Sequence, residues 1–194
     1  MDFWEVLFRK KLDGSFGSDR LVLNTGDRHN SSINRYFDRG VVLAADSIIK
    51  KTYSYDTRYI RIPNLTFDLL VIFFDVNTSY TLAFRTGKII GGKEIDKISS
   101  IIDELKRANI EARLIGMQNN HIEQTGFFQK LKDNVECKLM EVDLFGREQR
   151  NIIIDTKTGM TYNLLLENRI YRPGELINKQ SYDEFFSTTK TLII

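Results

Sequence analysis

An unbroken apolar run, Leu69-Leu70-Val71-Ile72-Phe73-Phe74, closed by Asp75 and a polar Asn77-Thr78-Ser79 break, restricts the fold of this chain more than any other feature. A strand with one face in water alternates apolar and polar residues. A run without alternation, too short for a helix, reads as a strand buried on both faces, so the chain must cover it from two sides. Residues 80–85 return as the second strand of a hairpin. Ile95, Ile98, Ile102 and Leu105 then recur at three- and four-residue spacing behind Gly91-Gly92. That spacing predicts an amphipathic helix over 94–108. Residues 110–117 read as a further strand, so 68–117 is expected to form a strand–helix–strand unit on a mixed sheet.

The flanking segments carry weaker signals. Residues 58–62 alternate like a strand that stops at Pro63, while 2–12 and 41–51 fit helix or strand equally. Turn-forming clusters occupy 13–19 and 24–32. Beyond the central unit, a short helix is expected over 126–133, ending at Asn134. Strands are expected near 135–143, 150–155 and 160–167, and a helical turn at 182–186. No Pro/Gly/Ser-rich linker divides the 194 residues. A chain of this size can bury about 70% of its unfolded surface. The expectation is a single α+β domain over 1–194, with a poorly patterned 1–56, a central 57–130 and a mainly β final third, 131–194.

Several function classes are excluded or disfavoured. No apolar run approaches the ~18 residues of a membrane span. The start, Met1-Asp2-Phe3-Trp4-Glu5, is acidic where a secretory leader is basic, which points to a cytoplasmic or already mature chain. Cys137 is the single cysteine, so an internal disulfide and a multi-cysteine zinc site are excluded. Its context, Glu136-Cys137-Lys138-Leu139, reads as a strand interior, and His29 and His121 stand at no metal-ligand spacing from it. No cofactor and no metal is called for. Net charge is only +2, with the positive excess in the first third, where residues 1–66 hold 11 Lys+Arg against 8 Asp+Glu.

Two groups of residues suit chemistry or binding. Between 51 and 61 basic and aromatic side chains interleave, and an extended backbone would put Lys51, Tyr53, Tyr55, Tyr59 and Arg61 on one face. Such a face suits nucleic acid, because rings stack on bases and cations meet phosphates. The competing reading is a solvated sheet face. Separately, Asp75-x-x-Thr78-x-x-Thr81 and Asp155-x-x-Thr158-x-x-Thr161 repeat one pattern directly after apolar strands. Each aspartate is expected to accept backbone N–H groups at a turn; the alternative is a carboxylate pair for a divalent metal.

The stretch Asp75-Val76-Asn77-Thr78-Ser79-Tyr80-Thr81-Leu82-Ala83-Phe84-Arg85-Thr86-Gly87 resembles the central hairpin of ribosome-inactivating proteins, the rRNA N-glycosidases. That family carries D-V-x-x-x-Y-x-x-x-[FY]-R-x-G there, and the order of elements over 57–130 is similar. The resemblance implies that Tyr80 would stack on a target adenine, and Arg85 fits the same pattern. The chain departs from the family elsewhere. No second tyrosine stands near Gln118-Asn119-Asn120, Glu111-Ala112-Arg113 has the wrong spacing for the catalytic helix, and Trp4 is the only tryptophan.

These features lead to one expectation and two alternatives. The first is a non-catalytic binder of RNA or a nucleoprotein, using Lys51, Tyr53, Tyr55, Tyr59, Arg61, Tyr80 and Arg85. With 22 Ile and five Ala, a bias of AT-rich genomes, an accessory role in a phage or plasmid is in keeping. One alternative is an inhibitor directed at a host or defence protein complex. The other is an RNA-directed enzyme, either an adenine N-glycosidase using Tyr80 or a metal-dependent nuclease using Asp75 and Asp155.

Overall fold

The doubly buried strand organises the molecule. In the computed structural model, which describes residues 21–23, 40–87, 90–104, 109–117, 125–144, 149–164 and 180–181, β5 (Leu69–Asp75) is buried along its whole length. Its hairpin partner β6 (Tyr80–Thr86) pairs from Asp75↔Tyr80 to Leu69↔Thr86. On the other flank lies β7 (Ile110–Gly116), also antiparallel to β5. Helix α1 (Gly92–Glu104) carries the chain from β6 over β5 to β7, as the periodicity predicts. Helix α2 (Thr125–Asn134) then leads to β8 (Lys138–Leu144), which lies parallel to β7. Adding β1 (Leu21–Leu23), β3 (Ser47–Thr52) and β11 (Gln180–Ser181) gives a seven-stranded sheet of order β1-β8-β7-β5-β6-β3-β11.

A second sheet contains β2 (Val41–Val42), β4 (Tyr59–Leu65), β9 (Arg150–Asp155) and β10 (Thr161–Asn163), in the order β10-β9-β4-β2. Alternation in the strands then assigns the layers. Leu69, Val71, Phe73, Leu82 and Phe84 point to Ile95, Ile98, Phe127 and Phe128 of the helices. Leu70, Ile72, Ala83 and Ile115 point the other way, to Ile60, Ile62, Ile152 and Ile154 of the small sheet. The protein is therefore an α+β domain of three layers: helices, large mixed sheet, small mixed sheet. Each fully buried Ile, Leu or Phe stabilises this stack by ~1.5–3 kcal/mol. No helix among the described residues is long and apolar enough to cross a membrane.

Two polar devices fix how the sheets meet. Arg150 of β9 donates from Nε and Nη2 to the Asp143 carboxylate of β8 at 2.9 and 3.0 Å, bridging the layers with both side chains buried. Arg85 of β6 donates to Asp68 at 2.6 Å and to the carbonyls of Pro63 and Asn64 at 2.8 and 3.1 Å. This clamp corrects the expectation that the strand stops at Pro63. β4 runs on to Leu65 through a register shift, with Asn64 at φ +52° absorbing the distortion. At the end of β7, Gly116 takes φ +95° where a Cβ would lie 2.3 Å from the Asp68 carbonyl oxygen, so only glycine fits. The expected segments 2–12 and 182–186 lie outside the described residues, whereas 41–51 holds two strands, β2 and the start of β3, separated by a turn at 43–46.

Candidate nucleic-acid interface

Three connections converge at one end of the two-sheet stack: the loop 53–58 between β3 and β4, the turn 76–79 between β5 and β6, and the turn 156–160 between β9 and β10. The two turns are built alike, as their shared sequence pattern implies. Asp75 accepts from the Asn77 N–H at 2.9 Å and the Thr78 hydroxyl at 2.5 Å, and its carbonyl accepts the Ser79 N–H at 2.9 Å. Asp155 accepts the Lys157 N–H at 3.0 Å, while its carbonyl takes the N–H groups of Thr158 and Gly159 at 3.2 and 2.8 Å. The fifth residue of each pattern, Ser79 or Gly159, has positive φ, +54° and +69°. Both carboxylates close their own turns, Asp75 at 1% and Asp155 at 2% exposure. Among the described residues no three His, Cys, Asp or Glu side chains group closely enough to hold a metal ion.

The loop 53–58 is pinned to both turns. The Tyr53 N–H donates to the Ser79 carbonyl at 3.1 Å, and the Arg58 carbonyl accepts from the Thr156 N–H at 2.9 Å and hydroxyl at 2.6 Å. Arg58 reaches Asp155 with Nε at 2.8 Å and Nη2 at 2.5 Å. That hydrogen-bonded carboxylate raises the guanidinium further above its ordinary pKa, against the opposing effect of partial burial. Inside the loop the Ser54 and Thr57 hydroxyls lie 2.7 Å apart, and Lys51 donates to Thr57. Burial lowers the Lys51 pKa from its usual value. The Lys157 ammonium lies 6.0 Å from the Tyr53 ring centre and Arg58 lies 5.2 Å from that of Tyr59, both within cation–π reach. Tyr55, at the crest of the loop, is 87% exposed.

The expected basic and aromatic residues are thus partly gathered and partly dispersed. The single extended stripe is corrected: β3 ends at Thr52, and the chain turns from the large sheet to the small one before Tyr59. Lys51, Tyr53 and Tyr55 stay together at the loop end. Tyr59 is half-buried against Ile153, Tyr162 and Leu164. Arg61 is only 4% exposed and Arg85 only 8%, the latter held in its clamp, so neither reaches a phosphate from where it stands. Tyr80 packs against the helix-side core and lines a hollow with Phe73, Asp75, Leu82, Ile101, Ile102 and Ile110. That hollow has room for about one water, far below the ~300 Å³ of ordinary ligand sites. Cys137 packs against the same core, and burial pushes its thiol up to about 11, which disfavours a nucleophilic thiolate. His29 and His121 lie outside the described residues.

Sequence reasoning overlooked Arg58 and Lys157. The only available signal was the repeated turn pattern, which sets Lys157 at the same end of the fold as the 76–79 turn. No protein-family model and no curated protein matches the chain.

Proposed function

We propose that this chain is a non-catalytic RNA-binding domain whose contact surface is the loop end formed by 53–58 and 156–160. The observation that carries the reading is Tyr55, a large ring left 87% exposed on a loop hydrogen-bonded at both ends, on which Lys51 contacts Thr57 and Lys157 lies over the Tyr53 ring. A planar aromatic beside cations on a preorganised loop is the chemistry that single nucleotides engage. A cytoplasmic role, as an accessory factor of a phage or plasmid, is in keeping with this reading. The enzyme alternatives find less support. Asp75 spends its oxygens on its own turn, Asp155 divides its oxygens between its turn and Arg58, and the hollow at Tyr80 does not admit a base.

The test is an electrophoretic shift with RNA over a salt series. Two lysine–phosphate contacts predict a log–log salt slope of about −1.4 on single strands, since each contributes about −0.7. Lys157→Gln is expected to weaken binding and to make the slope shallower by about 0.7. Absence of binding at low salt would overturn the proposal and favour a protein partner instead.

A further inference from the structure

Resting on that reading, we infer that the RNA taken at this end is unpaired, and that Tyr55 is the side chain that receives a base. The three loop-end tyrosines are not equivalent. Tyr53 and Tyr59 are half-buried and each already has a cation over its ring. Tyr55 is 87% exposed, and among the described residues nothing hydrogen-bonds to it or stacks on it. Its open ring face can take a planar group laid against it.

A duplex offers no such group, because its base faces are consumed by stacking and only edges and phosphates remain outside. A single strand presents base faces and tolerates any sequence at a stacking platform. The loop is also stiff enough to present the ring at little ordering cost. Its two ends are tied to the neighbouring turns and its interior is closed by the Ser54, Thr57 and Lys51 contacts. Lys157 is exposed with its ammonium 6.0 Å from the centre of the Tyr53 ring, two residues before Tyr55, and is the cation assigned to the phosphate adjoining that base. Asp56 is the opposing feature. It is an exposed carboxylate directly after the ring, and it repels the same phosphate.

Fluorescence anisotropy with a labelled single-stranded RNA of mixed sequence, and with the blunt duplex of that sequence, tests this. The single strand is expected to bind at least about tenfold more tightly than the duplex. Tyr55→Ala is expected to weaken single-strand binding about 5- to 150-fold, the loss of one stacked base, while Tyr55→Phe stays within about twofold. Asp56→Asn is expected to tighten it. Tyr55→Ala should melt with the parent, since the side chain contributes nothing to the core. Equal or tighter binding of the duplex, or a Tyr55→Ala variant that binds like the parent, would overturn the inference while leaving RNA binding through the lysines intact. Failure to bind either RNA would overturn both.

Discussion

Gly159→Ala isolates the joint between the two sheets. Gly159 has φ +69°, and a Cβ there would lie 2.3, 2.5 and 2.8 Å from the Cδ1, Cγ and Cε1 atoms of Phe74. The left-handed backbone costs an alanine ~1–2 kcal/mol. Phe74 is 2% exposed, so its ring has little space into which to withdraw. Forcing a methyl against it adds ~1–3 kcal/mol. Together these predict a loss of about 2–5 kcal/mol, read as a drop in Tm of about 4–20 °C for a chain of this size. Urea unfolding followed by circular dichroism measures it. Two further variants separate the contributions. In a Phe74→Leu background the Gly159→Ala penalty should shrink toward the backbone share of ~1–2 kcal/mol. Ser79→Gly, at the equivalent place in the sister turn with φ +54°, should be neutral or gain up to about 1 kcal/mol. A Gly159→Ala variant within about 0.5 kcal/mol of the parent would refute the reasoning.

Other outcomes follow from named contacts. Arg150→Met is expected to cost about 3–5 kcal/mol in chemical denaturation, because it removes the bidentate partner of the buried Asp143 carboxylate; the double variant with Asp143→Leu should regain most of that loss. Asp155→Asn should destabilise by only about 1–2 kcal/mol, since Arg58 is 34% exposed and screened by water, yet it should weaken RNA binding by loosening the 53–58 loop. Cys137 should react slowly with a disulfide reagent at pH 8 until the protein unfolds, because burial holds its thiol near 11. The folded chain keeps a proton that the unfolded chain releases near pH 9, so stability falls between about pH 9 and pH 11. Cys137→Ser should flatten that fall.

The parts of the fold legible in the sequence are those set by local spacing. The run 69–74 could be read as doubly buried because its two faces meet two different apolar layers, helices on one and the small sheet on the other. α1 followed from Ile95, Ile98 and Ile102, which the structure buries on one side. The passage of β4 through Pro63 was not legible, since it depends on the Arg85 clamp from more than twenty residues away. The loop end was only half legible. Lys51, Tyr53 and Tyr55 are neighbours in the chain, but Lys157 joins them only when the small sheet docks on the large one. Alternation placed Tyr80 in phase with Leu82 and Phe84, and those residues line the helix-side core, which explains why its hollow is small.

Amide hydrogen exchange with and without single-stranded RNA tests most directly whether the loop end is the contact surface. Slowed exchange confined to 53–58 and 156–160, with α1 and the core strands unchanged, is the predicted result. Protection centred on α1 and the Tyr80 hollow, or no change anywhere at saturating RNA, would contradict it.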